Sequence, residues 1–424
     1  MKHRVYLLTF LLAILAFGFA IQKPQDELTE STSTDTDSLE LAYDPASEIS
    51  ALLTPFDSIV EDNFKSSGTV GAAMVITYKG KVVLTKCFGV RKEGETDAVD
   101  AHTIFRLASV SKSITGVLAA IMDDEDIVKL DDRVVDFLPD FQLQDPNYTQ
   151  QLTVKNLLSQ TSGVIPHAYD LMVEDKVPLN KIMTYLNQAP ITAAPGQIYT
   201  YQNVLYSVYE PIIEAKTQMT FKDLMTQKVF IPFGMNDASL TFESFMDDTN
   251  KAYPHTQVST RKYRSIPLND RYYNTAPAAG VNASISDMGQ LLTALSGHHA
   301  ELLSPYASQN IFTPQIHTPV RRKYFRNWGQ DISDISYAIG WRIVNYRGRT
   351  VAYHGGYVKG YKAEIALCND NDIGIAILSN SPNNDNSKCI PTFFDMYFDY
   401  NDYILAEEKA AGTDATLDKD HPGL

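Results

Sequence analysis

Ser109 and Lys112 stand three residues apart in the stretch Phe105-Arg-Leu-Ala-Ser-Val-Ser-Lys-Ser-Ile-Thr-Gly116. Beyond them Ile114, Val117, Leu118, Ile121 and Met122 recur at helical spacing, which predicts a helix beginning near Ser109. Two residues three apart on a helix share a face, so the Lys112 amine meets the Ser109 hydroxyl. A serine hydroxyl is a poor nucleophile unless a neighbouring base takes its proton. A helix N-terminus adds positive potential and free N–H groups that suit a developing oxyanion. The chemistry on offer is acyl transfer. The same four residues also describe a serine cap followed by an exposed lysine, so the surrounding sequence must decide.

Two further stretches carry chemistry. Pro195-Gly-Gln-Ile-Tyr-Thr-Tyr-Gln-Asn203 places the Tyr201 phenol and the Asn203 carboxamide at the start of a helical segment, facing one cleft. A phenol serves as a general base when a nearby cation lowers its pKa, and Lys112 is the candidate cation. Asn203 can hold both Lys112 and a substrate amide. Read alone, Tyr201 is an aromatic core plug and Asn203 a cap. Tyr353-His-Gly-Gly-Tyr-Val-Lys-Gly-Tyr361 sets His354 at a strand end, with Gly355 and Gly356 letting a ligand approach the backbone. The amide of Tyr357 then becomes a second oxyanion donor beside that of Ser109. Read alone, this is a glycine turn with a structural histidine. Residues 314–328 form a basic, aromatic loop that either recruits an anionic substrate group or is a solvated surface.

The elements that must position these residues form strands at both ends with helices between. An amphipathic helix is expected over Pro55–Lys65, then strands over Val70–Tyr78 and Lys81–Val90 joined by Lys79-Gly80. Helical patterns follow at 127–137, 153–158, 203–215 and 221–229, and again at 287–295 behind Ser286 as N-cap. Strands return at 339–346, 349–354, 363–369 and 373–380, and a helix closes at 391–403. The fold class is therefore mixed α/β, one antiparallel sheet built from distant segments with a helical region inserted.

The 424 residues, 44% apolar, suffice for a large core. The net charge of −15 argues against a nucleic-acid or anionic-membrane partner. Met1-Lys-His-Arg4 followed by the 17-residue apolar run Val5–Ile21 reads as a secretory signal, or as an uncleaved N-terminal anchor, which is the only route to a membrane. The expected organisation is a signal over 1–21, a disordered acidic spacer over 22–50, a folded domain over 51–404 and a flexible tail over 405–424. Within the domain the sheet part spans about 51–108 and 290–404, and the helical part 109–289. Export places the protein in a periplasmic or secreted setting where Cys368 and Cys389 can pair, leaving Cys87; three buried thiols are the other reading. No metal ligand set is visible in the sequence and no cofactor is expected.

Taken together and in this order, the stretches resemble the serine β-lactamase and penicillin-binding-protein superfamily, in its class C-like branch of D-alanyl-D-alanine carboxypeptidases, D-aminopeptidases and esterases. The likeness runs over roughly 50–400 and includes Leu157-Leu-Ser-Gln-Thr-Ser-Gly163, Phe233-Gly-Met235, Ala279-Gly-Val-Asn-Ala-Ser-Ile-Ser-Asp-Met288 and Tyr337-Ala-Ile-Gly-Trp341. The resemblance implies a β-lactamase/transpeptidase-like fold and a small-molecule or peptide substrate, with oligomeric state open. It implies that Ser109 attacks a carbonyl, that Lys112 and Tyr201 relay the proton, and that the amides of Ser109 and Tyr357 hold the oxyanion. One motif departs: where β-lactamases of this branch carry Lys-Thr-Gly, this chain has His354-Gly355-Gly356. A histidine is mostly neutral at pH 7, and Gly355 lacks the hydroxyl that binds a substrate carboxylate. That weights the reading toward a peptidase, amidase or esterase over an efficient β-lactamase, with a catalytically weak penicilloyl-binding sensor as the alternative of another class.

Overall fold

A computed structural model describes residues 44–320, 324–382 and 388–417; the expected signal and most of the spacer lie outside the described residues. Twelve strands occur among the described residues: β1 (Gly71–Tyr78), β2 (Lys81–Gly89), β3 (Phe105–Arg106), β4 (His255–Ser259), β5 (Lys262–Ser265), β6 (Asn282–Ala283), β7 (Ile316–His317), β8 (Ile332–Tyr337), β9 (Arg342–Tyr346), β10 (Arg349–Val358), β11 (Tyr361–Cys368) and β12 (Ile373–Ser379). Eight of them form one antiparallel sheet in the order β2-β1-β12-β11-β10-β9-β8-β7. The first strand thus sits inside the sheet, one strand from its edge and beside the last, with Ala72 opposite Ser379. β3 pairs with β6, and β4 with β5, outside that sheet.

Side-chain alternation divides the core in two, because successive residues of a strand point to opposite faces. Along β1, Ala72, Met74 and Ile76 face a core closed by the helices Ser50–Ser67 and Cys389–Leu417, where Phe56 meets Phe393 at 5.0 Å between ring centroids. Ala73 and Val75 face the larger core that holds the helices Ser111–Asp124 and Ile285–Leu295. Lys79 and Gly80 join β1 to β2 with φ of 48° and 69°, the left-handed pair that a two-residue hairpin turn requires.

The Ser111–Asp124 helix is the axis of the molecule. Every residue in it except Ile121 and Asp124 is buried, the behaviour of a helix surrounded on all sides. Its hydroxyls are satisfied locally: Ser111 accepts from the Val281 amide at 3.0 Å, and Ser113 and Thr115 donate to the carbonyls of Gly340 and Pro277 at 2.9 Å each.

Several boundaries differ from expectation for physical reasons. The end of the expected spacer is folded, since Pro45–Glu48 is a helix capped by Asp44 and Ile49 is buried under the sheet. The next helix starts at Ser50 and carries Pro55 within its first two turns. The closing helix runs to Leu417, thirteen residues into the expected tail. The cap of the Ile285–Leu295 helix is Ser284, not Ser286, because only Ser284 can exchange bonds with Asp287 in a capping box. Of the pattern at 127–137 only Val134–Phe137 is helical, and β7 and β8 were not anticipated. Cys368 and Cys389 are not joined by a disulfide; burial pushes the Cys87 thiol up to about 11 and that of Cys368 up to about 12, which disfavours the thiolate of either at neutral pH. Among the described residues no helix is long and apolar enough to cross a membrane.

Candidate active site

Ser109 lies in a single turn of 3-10 helix, Ala108–Val110, that leads into the Ser111–Asp124 helix. Ala108 before it has φ of 48°, a left-handed conformation that a non-glycine residue rarely adopts and that recurs at functional turns. β10 runs directly beneath this turn: a Cβ on Gly356 would sit 2.2 Å from the Leu107 carbonyl oxygen and 3.0 Å from the Ser109 nitrogen. The glycine therefore lets strand and nucleophile turn touch. Tyr357 follows on the strand and lines the same cleft as Ser109, with its ring exposed.

Lys112 points back one turn, as the spacing requires, with Nζ 3.5 Å from Ser109 Oγ. It also donates to Asn203 Oδ1 at 2.8 Å and to the Ala278 carbonyl at 3.1 Å. Its side chain is fully buried, and burial holds its pKa well below the usual lysine range, with the nearby Arg342 charge adding to the effect and Asp170 opposing it. The geometry suits a neutral amine: two N–H bonds go to two acceptor-only oxygens, and the lone pair is left for the serine proton.

Tyr201 hydrogen-bonds Ser109 and lies with its ring centroid 4.7 Å from Lys112 Nζ. Burial raises its pKa, and Arg342 and the serine bond only partly offset this. Desolvation thus acts against the expected lowering of the phenol's pKa, and the neighbouring cation that favours the phenolate is Arg342. A reciprocal amide clamp positions the segment. Gln202 N donates to Gln160 Oε1 at 2.6 Å, while Gln160 Nε2 donates to the Gln202 carbonyl at 3.1 Å. That clamp is why the Leu157–Gly163 and Tyr201–Asn203 motifs occur together.

His354 differs most from expectation. It is wholly buried under the cleft and is not part of its lining. Its Nδ1 donates to the Gly355 carbonyl at 3.0 Å, and its Nε2 accepts from Arg342 at 3.2 Å and lies 3.1 Å from the Tyr337 hydroxyl. Burial first, then the charges of Arg342 and Lys112, hold its pKa well below the ordinary value. It is a neutral support, not a substrate contact. The positive charge in the cleft belongs instead to Arg342 on β9, which sequence reasoning passed over. Its guanidinium carbon lies 4.5 Å from the Tyr324 ring centroid, 5.5 Å from that of Tyr337 and 5.6 Å from that of Tyr201, and tyrosines, not carboxylates, are the groups that act on its charge among the described residues.

The cleft itself measures about 300 Å³ and is walled by Tyr199, Tyr201, Tyr324, Phe325 and Pro319 around Ser109 and Arg342. Much of the described 314–328 loop is exposed, as a solvated surface would be, and its basic run Arg321–Lys323 lies outside the described residues. Phe325 and Trp328 are buried against Tyr353, which holds Tyr324 over the arginine. Gly355 lines the cleft where a longer side chain would project. No cluster of three or more His, Cys, Asp or Glu side chains able to hold a metal occurs among the described residues.

The sequence model of the Beta-lactamase family matches residues 56–392, a span that contains every residue of this site. The chain belongs to the Beta-lactamase family. Within that family it is similar to Protein flp of Staphylococcus aureus (strain MRSA252), 24% identical over 346 residues that cover 79% of this chain and 63% of that protein. It is also similar to Unguisins hydrolase ungD' of Aspergillus campestris, 26% identical over 304 residues covering 69% of this chain and 55% of that one. The chain therefore spans less than two thirds of the length of these relatives. Among solved structures, the octameric penicillin-binding protein homologue from Pyrococcus abyssi superposes with a TM-score of 0.67 at 22% identity, covering 78% of this chain and 73% of that one. EstCE1, described as a hydrolase with promiscuous acyltransferase activity, gives 0.69 at 18% identity, covering 82% and 99%. These likenesses show the β-lactamase/transpeptidase-like fold, in a family of serine hydrolases.

Proposed function

We propose that this chain is an exported serine hydrolase that forms an acyl-enzyme on Ser109 from a small amide or ester, of the peptidase, D-amino-acid amidase or esterase type. The observation that carries the substrate preference is Arg342, a guanidinium that lines the same cleft as Ser109 and has no carboxylate in an ion pair with it among the described residues. A guanidinium matches a carboxylate bidentately and is always charged, so it replaces the anchor that His354 does not supply.

In this reading neutral Lys112 takes the Ser109 proton as Oγ attacks the carbonyl carbon. The amides of Ser109 and Tyr357 receive the oxyanion. As the carbon–nitrogen or carbon–oxygen bond breaks, Tyr201 gives its proton to the leaving group and recovers one from Lys112. Water then cleaves the acyl-enzyme to the free acid. The names of the hydrolase relative and of EstCE1 support acyl chemistry, and the aromatic walls support an apolar acyl group. A β-lactam also carries a carboxylate that Arg342 would accept, so β-lactamase activity is the second reading.

The test is intact-protein mass spectrometry after incubation with a fluorophosphonate and, separately, with a penicillin, on wild type and Ser109→Ala. One adduct lost in Ser109→Ala supports the acyl-enzyme. Rapid penicillin turnover points to the β-lactamase and a lasting penicilloyl adduct to a peptidase or sensor. Wild type that takes up neither probe would sink the catalytic reading.

A further inference from the structure

His167 and Asp170 form a dyad at the rim of the cleft, and the acylation steps leave His167 without a role. His167 lines the cleft with Ser109, and its ring centroid stands 5.6 Å from that of Tyr201, whose hydroxyl is bonded to Ser109. Its Nδ1 lies 2.8 Å from Asp170 Oδ2. A carboxylate in that position accepts a hydrogen bond from Nδ1–H and so leaves Nε2 as an open acceptor, the orientation that a base needs. The dyad is held rigidly. The His167 amide donates to the Tyr201 carbonyl at 2.9 Å, and φ at His167 is 60°, a left-handed conformation outside the range most residues occupy.

Asp170 is shared with the nucleophile's own network. Both of its oxygens accept from Asn203 Nδ2, at 3.1 and 3.0 Å, and Asn203 Oδ1 accepts from Lys112. A continuous chain of bonds therefore runs from His167 through Asp170, Asn203 and Lys112 to Ser109. His167 is exposed and lines the same cleft as Ser109, so the ring nitrogen that Asp170 does not engage is open to water there.

We propose that His167, oriented by Asp170, is the general base that activates water in hydrolysis of the acyl-enzyme. Nε2 takes one proton from water as the water oxygen bonds to the acyl carbon and the carbonyl electrons move onto oxygen. The tetrahedral species collapses by breaking the carbon–Oγ bond, and Ser109 Oγ takes a proton from Tyr201. The product acid ionises, returning a proton to the Tyr201–Lys112 relay, and the imidazolium releases the other to solvent. Atoms balance as acyl-serine plus water giving serine plus carboxylate and one proton.

The inference rests on the acyl-enzyme reading, and the experiment separates the two. The variants are His167→Asn and His167→Gly, both residue types that tolerate left-handed φ. Fluorophosphonate labelling reports Ser109 activation without deacylation, and p-nitrophenyl acetate reports both steps. The expected result is labelling at the wild-type rate and a burst of one equivalent of p-nitrophenol. Turnover after the burst is slower by about 100-fold or more, the usual worth of a general base, with acetyl-enzyme seen by intact mass. Added imidazole restores turnover in His167→Gly. Normal labelling with deacylation at the wild-type rate would overturn the role of His167 alone. Absence of labelling in the wild type would remove the acyl-enzyme reading beneath it.

Discussion

Arg342 donates to His354 across two neighbouring strands, Nη1 to Nε2 at 3.2 Å, so the histidine stands as a neutral prop behind a cation. The pairing of Arg342 with Tyr353 fixes this arrangement, because it brings the arginine alongside the residue that follows. The charge expected on β10 has moved one strand over. Replacing Arg342 by glutamine removes a charge-assisted bond to the substrate worth about 1.5–3 kcal/mol. KM for carboxylate-bearing substrates should rise roughly 10- to 100-fold, with little change for neutral esters. Equal losses on both substrate types would contradict the anchor.

His354→Lys restores the residue that β-lactamases of this branch carry, yet it should not restore their activity. The new ammonium would be buried beside Arg342 with no carboxylate to meet it, at a cost of several kcal/mol. The expected result is a clearly lower melting temperature and no gain in penicillin turnover. His354→Gln, uncharged, should be far milder in the same melting experiment.

Acylation should follow the neutral fraction of Lys112, which grows as pH rises through its folded-state pKa. Burial and Arg342 lower that pKa, whereas Asp170 raises it. Arg342→Gln therefore moves the rising limb of the labelling rate to higher pH, and Asp170→Asn moves it to lower pH. The check is the pH dependence of fluorophosphonate labelling for the three proteins. Shifts in the same direction would show that neither charge acts through the lysine.

Gly355 and Gly356 should respond differently to alanine. At Gly356 the added carbon meets the Leu107 backbone oxygen at 2.2 Å, so the turn that carries Ser109 must move. A displacement near 1 Å can cost about 100-fold in rate, and kcat should fall by that order. At Gly355 the nearest atoms are the hydroxyls of Tyr353 and Tyr324, at 2.8 and 2.9 Å, and side-chain ends can swing aside. That variant should keep most of its activity toward small esters.

Much of this was legible because local signals agreed with the fold. The Ser109–Lys112 spacing, the Lys79-Gly80 hairpin and the four strands near the C-terminus each carry their own periodicity or turn chemistry. Arg342 was not legible, since one arginine at the head of Arg342-Ile-Val-Asn-Tyr reads as an exposed strand position. Only the register against β10 turns it toward the nucleophile. Asp170 was hidden for a similar reason: its partner Asn203 lies 33 residues away, joined to it by a loop crossing. Ser284 and Ser286 both look like caps, and the capping box that chooses between them needs the carboxylate three residues on. The edge strand β7 has only two residues, and its neighbour β8 breaks its alternation with Ser333 and Asp334 in succession, so a pattern search has little to find.

The place of β1 between β2 and β12 has a consequence for how the protein comes into being. Ser379 bonds to the carbonyl of Gly71 across a separation of 308 residues. The strand that leads toward the nucleophile must therefore wait, one edge open, until nearly the whole chain has been made. Such distant contacts are slow to form. A ribosome-bound or truncated chain lacking β12 leaves β1 and β2 with no strand to join them to β11 and the rest of the sheet. Assembly of the cleft should therefore come late, after β12 has been made.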